Sequence, residues 1–284
     1  MHVLPGGRLG AESWWDTARL SAGAARFFGL RPRQILRVGR AGDRDALHRL
    51  EADWGRDVAD FLDIKWEVAG LENVVPGRRY VVAALHEGFA DALALLRLGL
   101  DLRFVARDEL AEWPTLGRYL SDTNQLIVTE GRSRVSYRRL IAGGAAALDA
   151  GEALVLFPQG SILGVETAFW PGAFRLADKL DAWILPVALT GSHRVWEYPY
   201  SPQVRFGQRM SVRVLHAVEP GRAVDQARVI ERQLKQLALS GDMAAPRRFE
   251  PEVDGYWDDY RYEIDPDFPD LAALVAEHRR AAAQ

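Results

Sequence analysis

The chain of 284 residues is 48% apolar and 26% charged, with a formal net charge of −3. That balance is ordinary for a globular protein with a large core, which excludes wholesale disorder, and it leaves no strong global field to draw nucleic acid or anionic lipid. Cysteine is absent, which excludes a disulfide framework, thiolate metal sites and a cysteine nucleophile.

The opening MHVLPGG has no basic stretch followed by an apolar run, so no signal peptide is expected. No stretch of about 18 apolar, uncharged residues occurs, so no membrane-spanning helix is predicted. The longest uncharged run, Ala153 to Val165, is broken by Pro158, Gln159 and two glycines. A soluble or peripheral protein is expected. Lys65, Lys179 and Lys235 are the only lysines among 36 basic residues; the arginine excess suits bidentate phosphate contacts and equally reflects codon bias.

In chain order, Ala11 to Leu30 reads as a helix carrying Trp14, Trp15, Leu20, Phe27 and Phe28, with Arg31-Pro32-Arg33 expected to break it. Such an aromatic helix either packs on the body of the protein or lies in a membrane interface. Asp43 to Asp63 is a second amphipathic helix, with Leu47, Leu50, Trp54, Val58 and Leu62 at three- and four-residue spacing. The pattern then changes to short apolar strands alternating with helices. Strands are predicted at 64–68, 80–85, 103–106, 126–129, 153–157, 183–189 and 211–216. Helices are predicted at 91–98, 113–120, 133–150, 172–180 and 222–239. The expected fold is α/β, a mostly parallel sheet covered by helices on both faces and preceded by a helical amino-terminal segment. The tail is acidic and aromatic, with a last helix near 271–280, and reads as an appendage wrapped on the core. The expected division is therefore residues 1–63, 64–241 and 242–284.

In open α/β sheets, sites gather at the carboxyl ends of strands. After Val81 to Leu85 the chain reads His86-Glu87-Gly88-Phe89-Ala90-Asp91, placing an imidazole at a strand end and a carboxylate in the next helix's first turn. A carboxylate that accepts from one ring nitrogen fixes the tautomer and leaves the other nitrogen as a base. Spacing alone proves little, since His48 and Asp53 share it. Inside a continuous helix, however, that offset turns the two groups about 140° apart, whereas a strand-to-helix turn can close it. His86 is thus either a catalytic base or a hydrogen-bonded structural histidine. A second polar turn follows Leu154 to Phe157, where the amides of Gln159, Gly160 and Ser161 could bind an oxyanion or could merely form a proline-containing turn. Its order does not fit Gly-x-Ser-x-Gly, which disfavours a serine hydrolase. His193 is the one rival for a polar role. Trp170 either lines a groove or fills the core, and filling is the expectation.

Together these stretches resemble the PlsC-type glycerolipid acyltransferases, the 1-acylglycerol-3-phosphate O-acyltransferase superfamily, from about Glu67 to Ser192. VVAALHEGFAD resembles that family's His-x-x-x-x-Asp motif. ARDEL resembles the segment with a basic residue before Glu-Leu, here Arg107, and QLIVTEGRS the second motif. LVLFPQGS resembles the Phe-Pro-Glu-Gly-Thr-Arg motif, and ILPVALTGS the apolar-Pro-Val motif at Leu185 to Val187. The resemblance implies a cofactor- and metal-free O-acyl transfer, with His86 taking a proton from an acceptor hydroxyl and Asp91 orienting the imidazole. The donor would be acyl-CoA or acyl-carrier protein. The acceptor would be a lysophospholipid, lysophosphatidic acid first, and Arg107, Arg132, Gln159, Gly160 and Ser161 would be substrate contacts. An oxyanion donor in that turn would contribute roughly 3 kcal/mol.

Departures weaken the phosphate clamp. Glu130 stands where the second motif has arginine, with Arg132 and Arg134 nearby, and Gln159, Ser161 and Ile162 replace glutamate, threonine and arginine. A less charged lysolipid or glycolipid acceptor, or a non-catalytic lipid-binding relative, is the alternative; an acyl hydrolase is a third reading. The resemblance also implies that Trp14, Trp15, Phe27 and Phe28, with Arg19, Arg26, Arg31 and Arg33, anchor the protein to a membrane surface. Its place would be cytoplasmic, on the membrane's inner face. No nucleic-acid partner is expected.

Overall fold

The computed structural model describes residues 3–4, 7–8, 10–113, 116–129, 133–162, 164–196, 203–240, 243, 250–251 and 263–284. Arg132 and Glu130 lie outside these residues, as do the side chains of Phe28 and Arg134.

Short strands β1 (Val3–Leu4) and β2 (Gly7–Arg8) pair antiparallel, and β3 (Gly10–Ala11) follows. Helix α1 (Trp14–Ala24) starts at Ser13, whose hydroxyl accepts the Asp16 amide at 3.0 Å, a standard N-cap. The predicted break at Pro32 does not occur. A π-helical stretch, Ala25–Leu30, leads directly into α2 (Arg31–Ala41). The Arg31 N–H donates to the Arg26 carbonyl five residues back, so the chain is in the wider π-helical register where Pro32 enters. Helix α3 (Arg44–Phe61) is capped by Asp43, which accepts the Ala46 amide at 3.0 Å. Of the arginines expected at an interface, Arg19 donates to the Phe61 carbonyl and lies over the Phe61 and Phe206 rings, and Arg31 pairs with Asp57.

Seven strands form the main sheet. They are β4 (Lys65–Ala69), β5 (Tyr80–Ala84), β6 (Leu102–Arg107), β7 (Leu126–Val128), β8 (Ala153–Leu156), β9 (Trp183–Thr190) and β11 (Arg209–Val214), in the order β4-β11-β9-β5-β8-β6-β7. Only β9 and β11 pair antiparallel; every other pairing in the sheet is parallel. The parallel-rich sheet expected from the sequence is therefore observed. Alternation along β5 divides the core. Tyr80, Val82 and Ala84 face one cluster with Leu20, Val58 and Leu93, while Val81, Ala83 and Leu85 face another with Leu148, Phe174 and Leu234. The period-two backbone sends successive side chains to opposite faces, and each fully buried leucine contributes about 1.5–3 kcal/mol.

Helices α4 (Asp91–Leu95), α5 (Leu116–Asp122), α6 (Ser133–Asp149), α7 (Gly172–Lys179) and α8 (Ser192–Val195) lie between these strands, and α9 (Ala223–Leu239) follows β11. Strand β10 (Gln203–Val204), too short to predict, pairs with β3. The final helix spans Pro269–Ala282.

A buried polar network joins the amino-terminal helices to the sheet. His48 does not pair with Asp53. Its Nδ1 lies 3.2 Å from Glu51 and its Nε2 2.9 Å from Glu152, which precedes β8. Arg103 forks onto the same Glu152, and the Tyr119 hydroxyl donates to Glu51 at 2.7 Å. Burial alone would hold His48 neutral, but the two carboxylates outweigh it and push its pKa up to about 9.

Candidate active site

The strand β5 ladder ends where the Leu85 amide donates to Val187, and the chain then turns into α4. One oxygen organises that turn. Asp91 Oδ2 lies 2.6 Å from His86 Nδ1 and accepts the backbone amides of Glu87 at 2.8 Å and Gly88 at 3.0 Å. Asp91 Oδ1 is buried and accepts no hydrogen bond from the described residues, so among them the carboxylate's charge is met by the donors on Oδ2, the imidazole included. A glycine is needed at 88, because a Cβ there would come within 2.9 Å of the Trp196 carbonyl and 3.0 Å of Ser192 Oγ. The Asp91 side chain is 0% exposed and that of His86 22%. With Nδ1–H directed at Asp91, His86 Nε2 carries the lone pair, on an imidazole that solvent reaches.

The turn after β8 grips His86 from two further sides. The Phe157 ring stacks on the imidazole with centroids 4.0 Å apart and planes 19° from parallel. Gln159 is wholly buried, and its Oε1 accepts the His86 backbone N–H at 2.6 Å. Gln159 was expected to contact substrate; the structure turns it onto the histidine's backbone. Gly160 adopts φ +70° and its N–H donates to the Phe157 carbonyl at 3.0 Å. That amide closes the turn and is not presented to an oxyanion. Ser161 and Ile162 are both buried, so an apolar side chain points inward where the resembling family carries arginine. Arg107, at the end of β6, donates from Nη1 to the Gly160 carbonyl at 3.0 Å, and its Nε lies 3.3 Å from Glu109. His86, Asp91, Gln159, Gly160 and Arg107 are thus one connected cluster, with Ser161 beside it.

Three neighbours were missed or misread in the sequence. Glu87 is buried, accepts the Gly191 amide at 2.9 Å and lies 2.9 Å from His193 Nδ1. Burial pushes its carboxyl up, against the pull of His193. The two residues lie 106 positions apart, so no local pattern announces the pair. Phe157 lies in the predicted strand, but nothing in its spacing marks it as a platform for the imidazole. Trp170 does not fill the core. It is 40% exposed, and a Cβ on Gly160 would sit 3.7 Å from its Cδ1.

Among the described residues, no group of three or more His, Asp or Glu side chains is placed to hold a metal ion. No helix among them is long and apolar enough to cross a membrane.

Residues 65–190 match the family model described as Acyltransferase, a span that runs from β4 through β9 and contains His86, Asp91, Arg107 and the 157–161 turn. No curated protein matches the chain. Among solved structures, the fold is similar to the crystal structure of the 1-acyl-sn-glycerophosphate (LPA) acyltransferase PlsC from Thermotoga maritima, with a TM-score of 0.64 and 18% identity, covering 79% of this chain and 95% of that one.

Proposed function

We infer from the acyltransferase domain at residues 65–190 that this chain is a glycerolipid O-acyltransferase of the PlsC type, with His86 as general base and Asp91 as its orienting partner. The observation that carries this reading is the single Asp91 oxygen that holds His86 Nδ1 and the two turn amides together, directing the Nε2 lone pair away from the carboxylate. Nε2 takes the proton from the acceptor hydroxyl as that oxygen attacks the thioester carbonyl. The tetrahedral intermediate then collapses. The carbon–sulfur bond breaks, the thiolate leaves with the proton returned from the imidazolium, and the acyl group stays on the acceptor as an ester. Buried Asp91 favours the imidazolium that forms in between. No acyl-enzyme is required.

Acyl-CoA or acyl-carrier protein is the donor, and lysophosphatidic acid the first-choice acceptor, with Arg107 and Arg132 as its cationic contacts. A less charged lysolipid or glycolipid acceptor is favoured by one observation: buried Ile162 stands in the place of a phosphate-binding arginine, and a phosphate monoester needs a charged clamp. Membrane association, placed in this reading at the inner face, draws its support from Trp14 and Trp15 only as exposed aromatic side chains, stacked 3.6 Å apart and 66% and 68% exposed. In this reading residues 1–63 form the membrane-facing segment, 64–241 the catalytic body and 242–284 an extension.

A screen of lysolipid and glycolipid acceptors against acyl-CoA and acyl-carrier protein, read by mass spectrometry of the acylated product, tests this function. Formation of a diacyl lipid supports it. Thioester loss without acylated acceptor would indicate a hydrolase, and no turnover with any acceptor would indicate a lipid-binding relative.

A further inference from the structure

The carboxyl-terminal extension touches the site more closely than an appendage would. Residues 263–265 run antiparallel beside the loop that follows the 157–161 turn. Ala168 N–H donates to the Glu263 carbonyl at 2.7 Å, Asp265 N–H to the Glu166 carbonyl at 2.6 Å, and Thr167 faces Ile264 across the same ladder. A buried ion cluster fastens this strap to α9. Lys235 Nζ donates to Asp265 Oδ2 and, at 2.9 Å, to Glu231 Oε1; the same Glu231 oxygen accepts the Phe169 amide at 2.8 Å. Lys235 also lies over the Phe169 ring. The loop so held ends at Trp170, whose backbone N–H donates to the Pro158 carbonyl at 2.8 Å and whose indole borders Gly160. Pro158 stands between Phe157, stacked on the imidazole, and Gln159, bonded to the His86 amide.

We propose that residues 263–268 are a positioning element of the active site, holding the 164–171 loop so that Trp170 fixes the 157–161 turn against His86. The contacts form a continuous path. Asp265 holds the strap, the strap holds residues 166–168, Trp170 holds Pro158, and the turn holds the imidazole. The cluster is buried and its charges are paired, so breaking it releases the loop instead of merely altering a surface contact. Small displacements of a catalytic group carry large rate penalties. The rate consequence rests on the acyl-transfer reading above; the mechanical linkage does not.

The test uses the full-length protein and the variants Asp265→Asn, Trp170→Ala and the pair combined. Asp265→Asn leaves Lys235 its Glu231 partner, so no buried ammonium is orphaned. Asp265→Asn is expected to lower kcat about tenfold or more with the thioester KM little altered. Trp170→Ala, which keeps the backbone bond to Pro158 and removes only the indole beside Gly160, is expected to lower it less. The double variant is expected to fall no further than Asp265→Asn alone, because both changes act on the same 157–161 turn. Multiplied losses in the double variant, or an unchanged kcat in Asp265→Asn, would overturn the proposal. Amide hydrogen exchange supplies a readout independent of activity. In Asp265→Asn, exchange in peptides covering 157–171 is expected to accelerate while that of 65–69 stays at the wild-type rate. Unchanged exchange at 157–171 would overturn the linkage even if transfer is lost, and accelerated exchange in a protein without transferase activity would leave the linkage standing while the acyl-transfer reading fails. Should Asp265→Asn not fold, Asp265→Glu keeps the charge on a longer arm and is expected to show the same pattern at smaller amplitude.

Discussion

Gln159 and His86 are joined across 73 positions by a hydrogen bond from the histidine's backbone N–H to the glutamine's side-chain oxygen, at 2.6 Å. The strand-to-helix turn that holds the imidazole is therefore fixed not only from within, by Asp91, but from the neighbouring strand end. A buried amide left without an acceptor costs about 1–3 kcal/mol. Gln159→Leu, which keeps the volume and removes the acceptor, is expected to lower thermal stability by that amount and kcat by about tenfold to a hundredfold. Gln159→Glu restores the acceptor and is expected to recover most of kcat. Calorimetry and steady-state kinetics on the two variants check this, and equal kinetics in both would show that the bond does not position His86.

His48 gives the protein a predictable response to alkali. Its pKa is raised from the usual 6.5 to about 9 because Glu152 and Glu51 outweigh the effect of burial. A group whose folded value is raised stabilises the fold fully below its unfolded value, and that contribution disappears as pH rises through the folded one. The stabilisation is therefore present below about 6.5 and lost through about 9, amounting to at most about 3 kcal/mol. The thermal midpoint of the wild type is expected to fall over that range. His48→Gln should be less stable at pH 6 and should lose this part of the pH dependence; parallel curves for the two proteins would contradict the assignment.

The stacked indoles of Trp14 and Trp15 lie largely in solvent at the start of α1. Replacing both with serine is expected to release the protein from anionic vesicles in a sedimentation assay, while turnover of a short-chain, water-soluble acceptor stays within about twofold because no site residue is touched. Undiminished vesicle binding would place the lipid contact elsewhere.

Much of the fold was legible because its cause is local. Period-two burial along β5 and the three- and four-residue spacing in α3 appear directly in the residues, and the predicted spans agree with the observed ones to within a few positions at most strands and helices. Proline at 32 misled because a helix breaker in isolation is tolerated when a π-helical stretch precedes it. The pairing of His86 with Asp91 was readable for the same reason as the strands, since a five-residue offset closes across one turn. Gln159 on the His86 amide, Glu87 with His193, His48 with Glu152 and the strap at 263–265 all join residues far apart in the chain. Their partners are chosen by the packing of the sheet, so no spacing in the sequence encodes them.

His86, oriented by Asp91, is proposed as the base of an acyl transfer. The most direct measurement is the initial rate of thiol release and of acylated-lipid formation, followed together, for the wild type, His86→Ala and Asp91→Asn, each with its fold checked by calorimetry. Equal amounts of thiol and acylated lipid are expected from the wild type. Both products should fall by at least about a hundredfold in His86→Ala, with a smaller but clear loss in Asp91→Asn. Wild-type rates in a folded His86→Ala protein would contradict that role for His86.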